Sequence, residues 1–262
     1  MSAVKDGAAM PLRLIGVGHR YGAGVIALSD ISVDVEPGTF TLVLGPNGAG
    51  KTTLANIMGG MLRPSAGEVR VWGRPARYTE SRAFNREAIA LVPERRRLFN
   101  RLTVRENIML GAYAVKEPRR RLDERMRGML DLFPSVIRDR LDVSAGSLSG
   151  GEQQLLAIAR ALIANPKVVI LDEPSLGLAP RAIEAVYELL ATARSSGTTL
   201  VVIEQSGAVA LDYVSDIVIL DRGRELFRGA AGSITQQQIL EIGYVGHAET
   251  IVADGQPKGR AG

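Results

Sequence analysis

The chain carries the run Gly45-Pro46-Asn47-Gly48-Ala49-Gly50-Lys51-Thr52-Thr53, which fits the phosphate-binding pattern G-x-x-x-x-G-K-[ST]. The apolar residues 39–44 predict a buried β-strand before it, and residues 51–62 predict a helix after it. Glycines let backbone N–H groups approach phosphate oxygens, and Lys51 adds a positive charge. The Thr52 hydroxyl is then a natural Mg²⁺ ligand. The run therefore predicts a nucleotide-phosphate site between a strand and a helix.

A second apolar run, residues 167–174, ends in the adjacent carboxylates Asp172 and Glu173. This pattern is typical of a central parallel strand that delivers acids to its carboxyl end. Asp172 is expected to hold Mg²⁺, directly or through a water, opposite Thr52, and Glu173 to orient and deprotonate an attacking water. The plainer alternative is an acidic pair that only caps the next turn. Because the sequence contains no guanine-reading Asn/Thr-Lys-x-Asp segment, ATP is favoured over GTP.

Between these two motifs, residues 148–154 read Leu-Ser-Gly-Gly-Glu-Gln-Gln and open a predicted helix. Ser149 and Glu152 stand at the spacing of a capping box, which satisfies free N–H groups at a helix start. Capping does not explain the successive glycines Gly150 and Gly151, which weaken a first turn but allow a ligand to approach closely. An exposed helix N-terminus of this kind favours a phosphate. Since the chain has its own phosphate loop, this motif is expected to serve a nucleotide bound to another copy.

These motifs together resemble the ATP-binding subunits of ABC transporters, and the resemblance spans about residues 12–246. The phosphate loop, the LSGGE signature and the ILDEP strand stand in the order of that family. The following Ser175-Leu176-Gly177-Leu178 resembles the loop that contacts the opposite subunit. Tyr21 matches the position whose aromatic ring stacks on adenine, although a half-buried strand tyrosine is the alternative. The resemblance implies an α/β cassette that has a mainly parallel nucleotide-binding sheet, an antiparallel β layer and a helical subdomain.

Two positions depart from the general family pattern, because Glu94 follows Val-Pro where most members have Gln, and Gln205 replaces a switch histidine. These departures, together with LDEPSLGLAP, resemble the smaller ATPase subunit of branched-chain amino acid importers and of their amide or urea-type relatives. The Gln205 amide can hydrogen-bond a phosphate or water but cannot take a charge. We therefore assign Gln205 to positioning rather than proton transfer.

The resemblance implies a set of site residues for ATP and Mg²⁺. The catalytic residues are expected to be Glu173, Lys51 and Gln205. The Mg²⁺ ligands are expected to be Thr52, Asp172 and Glu94. The nucleotide is expected to contact Tyr21, residues 45–53, Glu94 and Asp172 in one subunit, and Ser149, Gly150 and Gly151 in the other.

Strands alternating with helices predict an α/β architecture with a parallel sheet. The resemblance implies one ATPase domain over residues 12–246, with a helical subdomain at about 82–157. Residues 12–35 and 68–72 predict short strands of an antiparallel layer, and residues 217–227 predict a terminal hairpin. The small, polar residues 1–11 and the Gly-, Pro- and charge-rich residues 247–262 predict disordered ends.

Composition narrows the location and the partners. The 262 residues include no cysteine, so disulfide and thiol chemistry are excluded, and no apolar run approaches the roughly 18 residues that span a bilayer. A peripheral subunit on the cytoplasmic face of the inner or plasma membrane is therefore expected. The resemblance implies three partners: a second ATPase subunit in a homo- or heterodimer, transmembrane permease subunits, and an extracytoplasmic substrate-binding protein. A net charge of +4 suits either an anionic membrane surface or no particular partner, and no nucleic acid is expected.

The leading hypothesis is an ATP-hydrolysing motor of an importer for branched-chain or other small amino acids or amides. One alternative is a soluble ABC ATPase that acts on nucleic acid or ribosomes, although such proteins usually join two cassettes or insert long coiled coils. The other is a nucleotide-gated module that hydrolyses little, which Glu94 and Gln205 suggest. Turnover assays with and without membrane partners, and co-purification from solubilised membranes, distinguish these hypotheses.

Overall fold

The computed structural model describes residues 10–22, 24–78, 84, 88–113, 115–206 and 209–245. The predicted disordered ends, residues 1–11 and 247–262, lie outside these ranges except for Met10 and Pro11. Pro11 is buried, and its carbonyl accepts a hydrogen bond from the Trp72 N–H at 3.2 Å, so the predicted disorder does not extend to this residue.

Among the residues that the structure describes, the larger of two sheets contains six strands. In spatial order they are β10 (Arg224–Ala230), β9 (Asp216–Asp221), β3 (Phe40–Leu44), β8 (Thr199–Glu204), β7 (Val168–Asp172) and β6 (Ile89–Val92). Every neighbouring pair is parallel except β9 and β10, which form the terminal hairpin predicted from the sequence. Strands β3, β7 and β8 are buried along their whole length, as expected for the centre of a sheet covered on both faces.

The smaller sheet is antiparallel and confirms the predicted β layer. Its spatial order is β2 (Val25–Val35), β1 (Leu12–Tyr21), β4 (Ala66–Val71) and β5 (Arg74–Pro75). The first two strands are 10 and 11 residues long, and are therefore not the short strands that the sequence suggested. Register shifts between Leu14 and Arg20 interrupt the pairing of β1 with β2. The alternation of polar and apolar residues breaks at these shifts, so the sequence did not indicate that each strand is continuous.

In chain order, the helices of the described part of the chain are α1 (Lys51–Met58), α2 (Val104–Gly111), α3 (Arg119–Leu130), α4 (Ser135–Arg138), α5 (Gly150–Leu162), α6 (Pro180–Ser195) and α7 (Gln236–Val245). The capping box predicted at Ser149 begins α5. Thr103 and Ser149 cap α2 and α5 with reciprocal glutamate contacts. Helix α1 is shorter than the predicted residues 51–62, because it ends before Gly59 and Gly60. Helical spacing over residues 51–62 predicts Met61 on the apolar face with Leu54, Ile57 and Met58, but Met61 lies beyond the end of the helix and is exposed.

The stretch 82–157, predicted to be helical, contains the strand β6 as well as α2, α3, α4 and the first part of α5. Ile89 and Val92 pair with Val168 and Leu171, so this segment belongs to the larger sheet. Periodicity could not separate these four apolar residues from a buried helix segment, because the run is too short. The boundary of the helical subdomain stays a prediction.

The larger sheet separates two apolar cores, because successive side chains of a strand point to opposite faces. Leu42 belongs to the core that contains α2, α3, α5 and α6, whereas Val43 belongs to the core between α1 and the antiparallel sheet. Strands β3, β6, β7 and β8 run in the same direction, so their carboxyl ends share one edge of the sheet. This edge is where ligands bind in open α/β sheets. Among the described residues, none of the helices has both the length and the apolar character needed to cross a membrane.

Candidate active site

The phosphate loop joins β3 to α1 as predicted. Its Gly50 caps α1 in a left-handed conformation with φ of 95°, and a Cβ atom there would lie 2.4 Å from the Ala27 carbonyl oxygen. Only glycine fits both constraints, so the backbone N–H groups at the helix start are left open to a ligand. Beside the loop is a cleft of about 280 Å³, lined by Asn47, Gly48, Gly50, Lys51, Thr52, Glu94 and Glu173.

Lys51 lies at the floor of this cleft and is only 4% exposed. Its Nζ donates to the Pro46 carbonyl oxygen at 3.1 Å and pairs with the Glu173 Oε1 at 3.2 Å. The ammonium group and the predicted base therefore meet in one partly desolvated pair, where electrostatic interactions are stronger than in water. An incoming phosphate would compete with Glu173 for this charge.

Asp172 ends β7 next to the cleft and is 4% exposed. Within the described part of the chain, its Oδ1 has no hydrogen-bond partner, although the Thr52 side chain bonds the carboxyl group. Burial raises the pKa of Asp172 to about 6, the nearby carboxylates of Glu173 and Glu94 add to this, and the Thr52 bond and Lys51 oppose it. A buried carboxylate with an unsatisfied oxygen is expected to be stabilised when a cation binds to it.

Glu173 stands immediately after β7 with a left-handed backbone, at φ of 48°. Non-glycine residues rarely adopt this conformation, which tends to occur where the surrounding structure imposes it. The Glu173 N–H donates to the Ile203 carbonyl oxygen of β8 at 2.8 Å, which fixes the turn against the neighbouring strand. The turn directs the Glu173 side chain into the cleft, where it reaches Lys51.

Gln205 follows β8 and is half-buried, and it does not line the cleft. The residue before it, Glu204, ends β8 and is 2% exposed. Sequence reasoning did not single out Glu204, although an acid that closes the otherwise apolar run 199–204 was a usable signal. Burial raises the pKa of Glu204 to about 7, hydrogen bonds from Ser175 and Tyr187 oppose the shift, and the charge of Glu173 adds to it.

Tyr21 ends β1 beside α1 with 45% of its surface exposed. Its hydroxyl lies 3.3 Å from the Thr53 Oγ1, and the His19 ring meets it edge-on with centroids 4.6 Å apart. These contacts hold the ring at the start of α1 while leaving a large part of it open. This placement is compatible with the predicted stacking on a base.

The signature residues Ser149, Gly150 and Gly151 lie at the start of α5 and do not line the cleft. Ser149 and Gly150 are exposed. The packing of the chain itself requires glycine at position 151, because a Cβ atom there would lie 2.6 Å from the Cβ of Ala182 in α6. Close packing of α5 on α6 therefore explains one of the two glycines that the sequence assigned to ligand approach.

Helix α5 holds the segment that follows Glu94 at two places along its length. The Arg160 guanidinium donates to the carbonyl oxygens of Arg96 and Arg97, each at 2.6 Å. Both of these residues have left-handed backbones, at φ of 51° and 46°. Arg96 also donates to the Gln154 Oε1 of α5 at 3.1 Å. The signature helix is thus tied to the segment that carries Glu94.

The donor set for a metal is sparse. Among the described residues, no three His, Cys, Asp or Glu side chains are grouped so that they could hold an ion. Thr52, Asp172 and Glu94 nevertheless lie close together, as the Thr52 bond and the charge interaction of Glu94 with Asp172 indicate. Few protein ligands suit Mg²⁺ at a nucleotide, because water and phosphate oxygens complete its octahedron.

Comparison with known proteins places these features in a family. Residues 28–176 match the family described as ABC transporter. The chain is 37% identical over 226 residues to the high-affinity branched-chain amino acid transport ATP-binding protein BraG of Pseudomonas aeruginosa, covering 86% of this chain and 96% of that protein. It is 32% identical over 215 residues to the probable branched-chain amino acid transport ATP-binding protein LivF of Archaeoglobus fulgidus, covering 82% of this chain and 90% of that protein.

A solved dimeric structure of a post-hydrolysis state of an ATP-binding cassette, bound to ADP and Pi, has a TM-score of 0.74 to this chain. The two are 26% identical, and the match covers 84% of this chain and 98% of that one. The fold and the site define a nucleotide-binding cassette with a phosphate loop and a signature helix. The chain belongs to the ABC transporter family. It is the ATP-binding subunit of such a transporter and an ATPase, as the sequence resemblance implied.

Proposed function

We propose that this ATPase drives import of branched-chain amino acids or of similarly small amino acids and amides. The observation that carries the ATPase site is the cleft that brings Lys51, Glu94 and Glu173 together. The cargo class rests on similarity to BraG along 96% of the length of that protein, and on the residues Glu94 and Gln205, which fit the same branch of the family.

The hydrolytic step follows from the Lys51–Glu173 pair. Phosphate oxygens at the loop would attract the Lys51 ammonium away from Glu173, because they carry more negative charge than one carboxylate. Glu173 would then accept a proton from a water whose oxygen attacks the terminal phosphorus, while the bond from that phosphorus to the bridging oxygen breaks and ADP leaves with the electron pair. Its backbone bond to Ile203 keeps the carboxylate at the cleft while this exchange takes place.

Mg²⁺ is proposed as the metal of this site. The unsatisfied Asp172 Oδ1 and the exposed Thr52 hydroxyl are oxygen donors that suit a hard cation. When bound, the ion would neutralise phosphate charge and polarise the reacting phosphoryl group. Glu94 would take part directly or through a water, since its charge already acts on Asp172.

A second ATPase subunit is proposed to complete each site. The exposed Ser149 and Gly150 lie outside the cleft of their own chain, so the phosphate they suit would belong to a partner cassette. The solved dimer of a related cassette supports such an arrangement. The partner is either a second copy of this chain or a non-identical cassette.

A docking surface for the permease is proposed on the helical side of the molecule, and we define it as Phe99, Leu110 and Tyr113. These side chains are 57%, 40% and 74% exposed. They border two neighbouring cavities of about 350 and 420 Å³ among β6, α2, α3 and α5. Large exposed apolar groups beside cavities are typical of protein interfaces. Through this contact the chain would lie on the cytoplasmic face of the membrane, and an extracytoplasmic binding protein would deliver the cargo.

Uptake measurements test the import assignment. Deleting the chain should abolish uptake of labelled leucine, isoleucine or valine, or of urea or another small amide. Restoring the parent chain should recover uptake, whereas a Lys51→Ala chain expressed at the same level should not. Unchanged uptake of all these compounds, with loss of efflux of another compound, would contradict import and leave the ATPase assignment intact.

Co-purification tests the docking surface. Tyr113→Ser should reduce recovery of the permease with this chain from solubilised membranes, because it removes an exposed apolar anchor. ATP binding should be unchanged, since Tyr113 does not line the nucleotide cleft. Met61→Ser is the matched control, as it alters another exposed apolar side chain outside this surface. Equal recovery of the permease with both variants would overturn the assignment.

A further inference from the structure

The Glu204 carboxyl group is a buried junction between three elements. Its Oε1 accepts a hydrogen bond from the Ser175 N–H at 3.0 Å and another from the Tyr187 hydroxyl at 3.2 Å. The Ser175 side chain also bonds the carboxyl group. The strand β8, the loop after β7 and the helix α6 therefore meet at one acid. A buried polar group of this kind is tolerated only when its bonds are made.

The loop that Glu204 holds, residues 173–178, carries the base and the segment resembling the subunit contact. It has two anchors at the end of β8, because the Glu173 N–H bonds the Ile203 carbonyl and the Ser175 N–H bonds Glu204. Beyond Ser175 the exposed Leu176 projects outward. The second anchor thus lies between the catalytic carboxylate and the exposed tip of the loop.

Tyr187 makes this anchor rigid. It is fully buried in α6 and packs between the Phe40 ring, at a centroid distance of 6.4 Å, and the Tyr213 ring, at 5.7 Å. Burial raises the pKa of the Tyr187 phenol, so the hydroxyl keeps the proton it donates to Glu204. The packing leaves this donor little freedom to leave its acceptor.

We propose that Glu204 is a positioning residue for ATP hydrolysis, which acts with Tyr187 to hold residues 173–178 in place. Through Ser175 it keeps the strained turn at Glu173 closed, so that this carboxylate stays at the cleft and faces Lys51. Through the same bond it fixes the shape that the exposed tip presents to a second cassette. This inference rests on the proposed role of Glu173 as base, and Glu204 itself contacts no substrate.

Three variants and one control test the proposal in the assembled transporter. Glu204→Leu keeps a side chain of similar size but removes the acceptor of both bonds, and should lower kcat at least about tenfold while changing the KM for ATP less than about threefold. Glu204→Gln keeps an acceptor oxygen, and should hydrolyse within about threefold of the parent. Tyr187→Phe should lower kcat about fivefold, as expected for one lost hydrogen bond. Tyr213→Phe, the neighbouring ring, should match the parent.

The outcomes separate positioning from mere stability. A folded Glu204→Leu chain with the kcat of the parent would overturn the proposal. If that chain does not fold, a Tyr187→Phe chain with the kcat of the parent would overturn it instead. Equal losses of kcat and of ATP affinity, or no rescue by Gln, would indicate a purely structural group and also overturn it. Glu173→Gln is measured alongside to test the proposed base. Continued turnover of this variant would refute the role of Glu173 as base. An inactive Glu173→Gln together with an active Glu204→Leu would refute only the positioning role of Glu204.

Discussion

Asp172 and Glu204 end neighbouring parallel strands, and both are acids buried at the same edge of the sheet. They differ in what surrounds their oxygens. Asp172 keeps an oxygen without a partner among the described residues, whereas Glu204 receives bonds from Ser175 and Tyr187. Burial raises the pKa of both carboxyl groups, to about 6 and about 7.

The contrast shows that burial and a raised pKa do not by themselves assign a role to an acid. The unsatisfied oxygen of Asp172 is a feature of a ligand site, because a folded chain rarely leaves such an atom without compensation. The satisfied oxygen of Glu204 is a feature of a group that holds other parts of the chain together. Substitution by the matching amide should therefore lower catalysis strongly at Asp172 and only slightly at Glu204.

The largest effect is expected for Asp172→Asn. An amide cannot supply the anionic metal ligand, so hydrolysis should fall at least about a hundredfold, or about 2.7 kcal/mol of transition-state stabilisation. Thermal unfolding with ATP should also lose its dependence on Mg²⁺. The check is turnover together with unfolding midpoints measured with ATP, with and without Mg²⁺. Mg²⁺-dependent stabilisation that persists in the variant would remove Asp172 from the metal site.

The next effect concerns stability and separates Glu204 from ordinary surface acids. Its folded-state pKa of about 7 lies above the ordinary 4.5, so the parent loses stability as the pH rises from 5 to 8. The groups that face it are Ser175, Tyr187 and the Glu173 carboxylate. Glu204→Gln has no titrating proton at this position. Its free energy of unfolding minus that of the parent should therefore increase by about 2 kcal/mol as the pH rises from 5 to 8.

Urea unfolding at several pH values measures this difference. Glu188→Gln, at an exposed position of α6, is the matched control and should follow the parent. A Glu204→Gln curve parallel to that of the parent would mean that the buried carboxyl group does not titrate as described.

A smaller effect is expected at Gln205, which is next to Glu204 but half-buried. Gln205→Ala should cost about tenfold in turnover, or about 1.4 kcal/mol, because a neutral donor and acceptor at the switch position is lost. Gln205→His should be tolerated better than Ala. If Gln205→Ala turns over ATP like the parent, with and without membrane partners, Gln205 has no role in catalysis and is only a structural amide at the end of the strand.

The smallest effect is expected at Tyr21, a strand end that is exposed rather than buried. Tyr21→Phe keeps the ring and loses only a weak contact of 3.3 Å to Thr53, so ATP affinity should change less than about twofold. Tyr21→Ala should weaken ATP binding about fivefold, which corresponds to about 1 kcal/mol of stacking. Calorimetry on both variants provides the measurement. Equal affinities for the Phe and Ala chains would exclude stacking by this ring.

Much of the fold could be predicted because its signals are local. The phosphate loop, the capping boxes at Thr103 and Ser149, and the apolar strand before Asp172 each depend on residues within a few positions of one another. Strand β6 was missed, because four apolar residues inside a predominantly helical stretch carry no periodicity of their own.

The site was predictable only in part, for the same reason. Motif positions identified Lys51, Glu94 and Glu173, which the fold brings to one cleft. The partners of Glu204 stand 29 and 17 residues away, so no local pattern links them. The contact of Gly151 with Ala182 depends on how two helices cross, and the sequence attributed that glycine to a ligand instead.

Helix α5 has a mechanical consequence that follows from its two ends. It is 13 residues long, so it forms a rod of about 20 Å with the signature at one end and the Arg160 clasp near the other. A tilt of about 5° about one end of such a rod displaces the other by about 2 Å. The segment after Glu94 is bonded to this rod, so it must travel with it. If a neighbouring molecule shifted the helix at the signature, these bonds would carry the shift to the segment after Glu94, which borders the cleft at the chain's own phosphate loop.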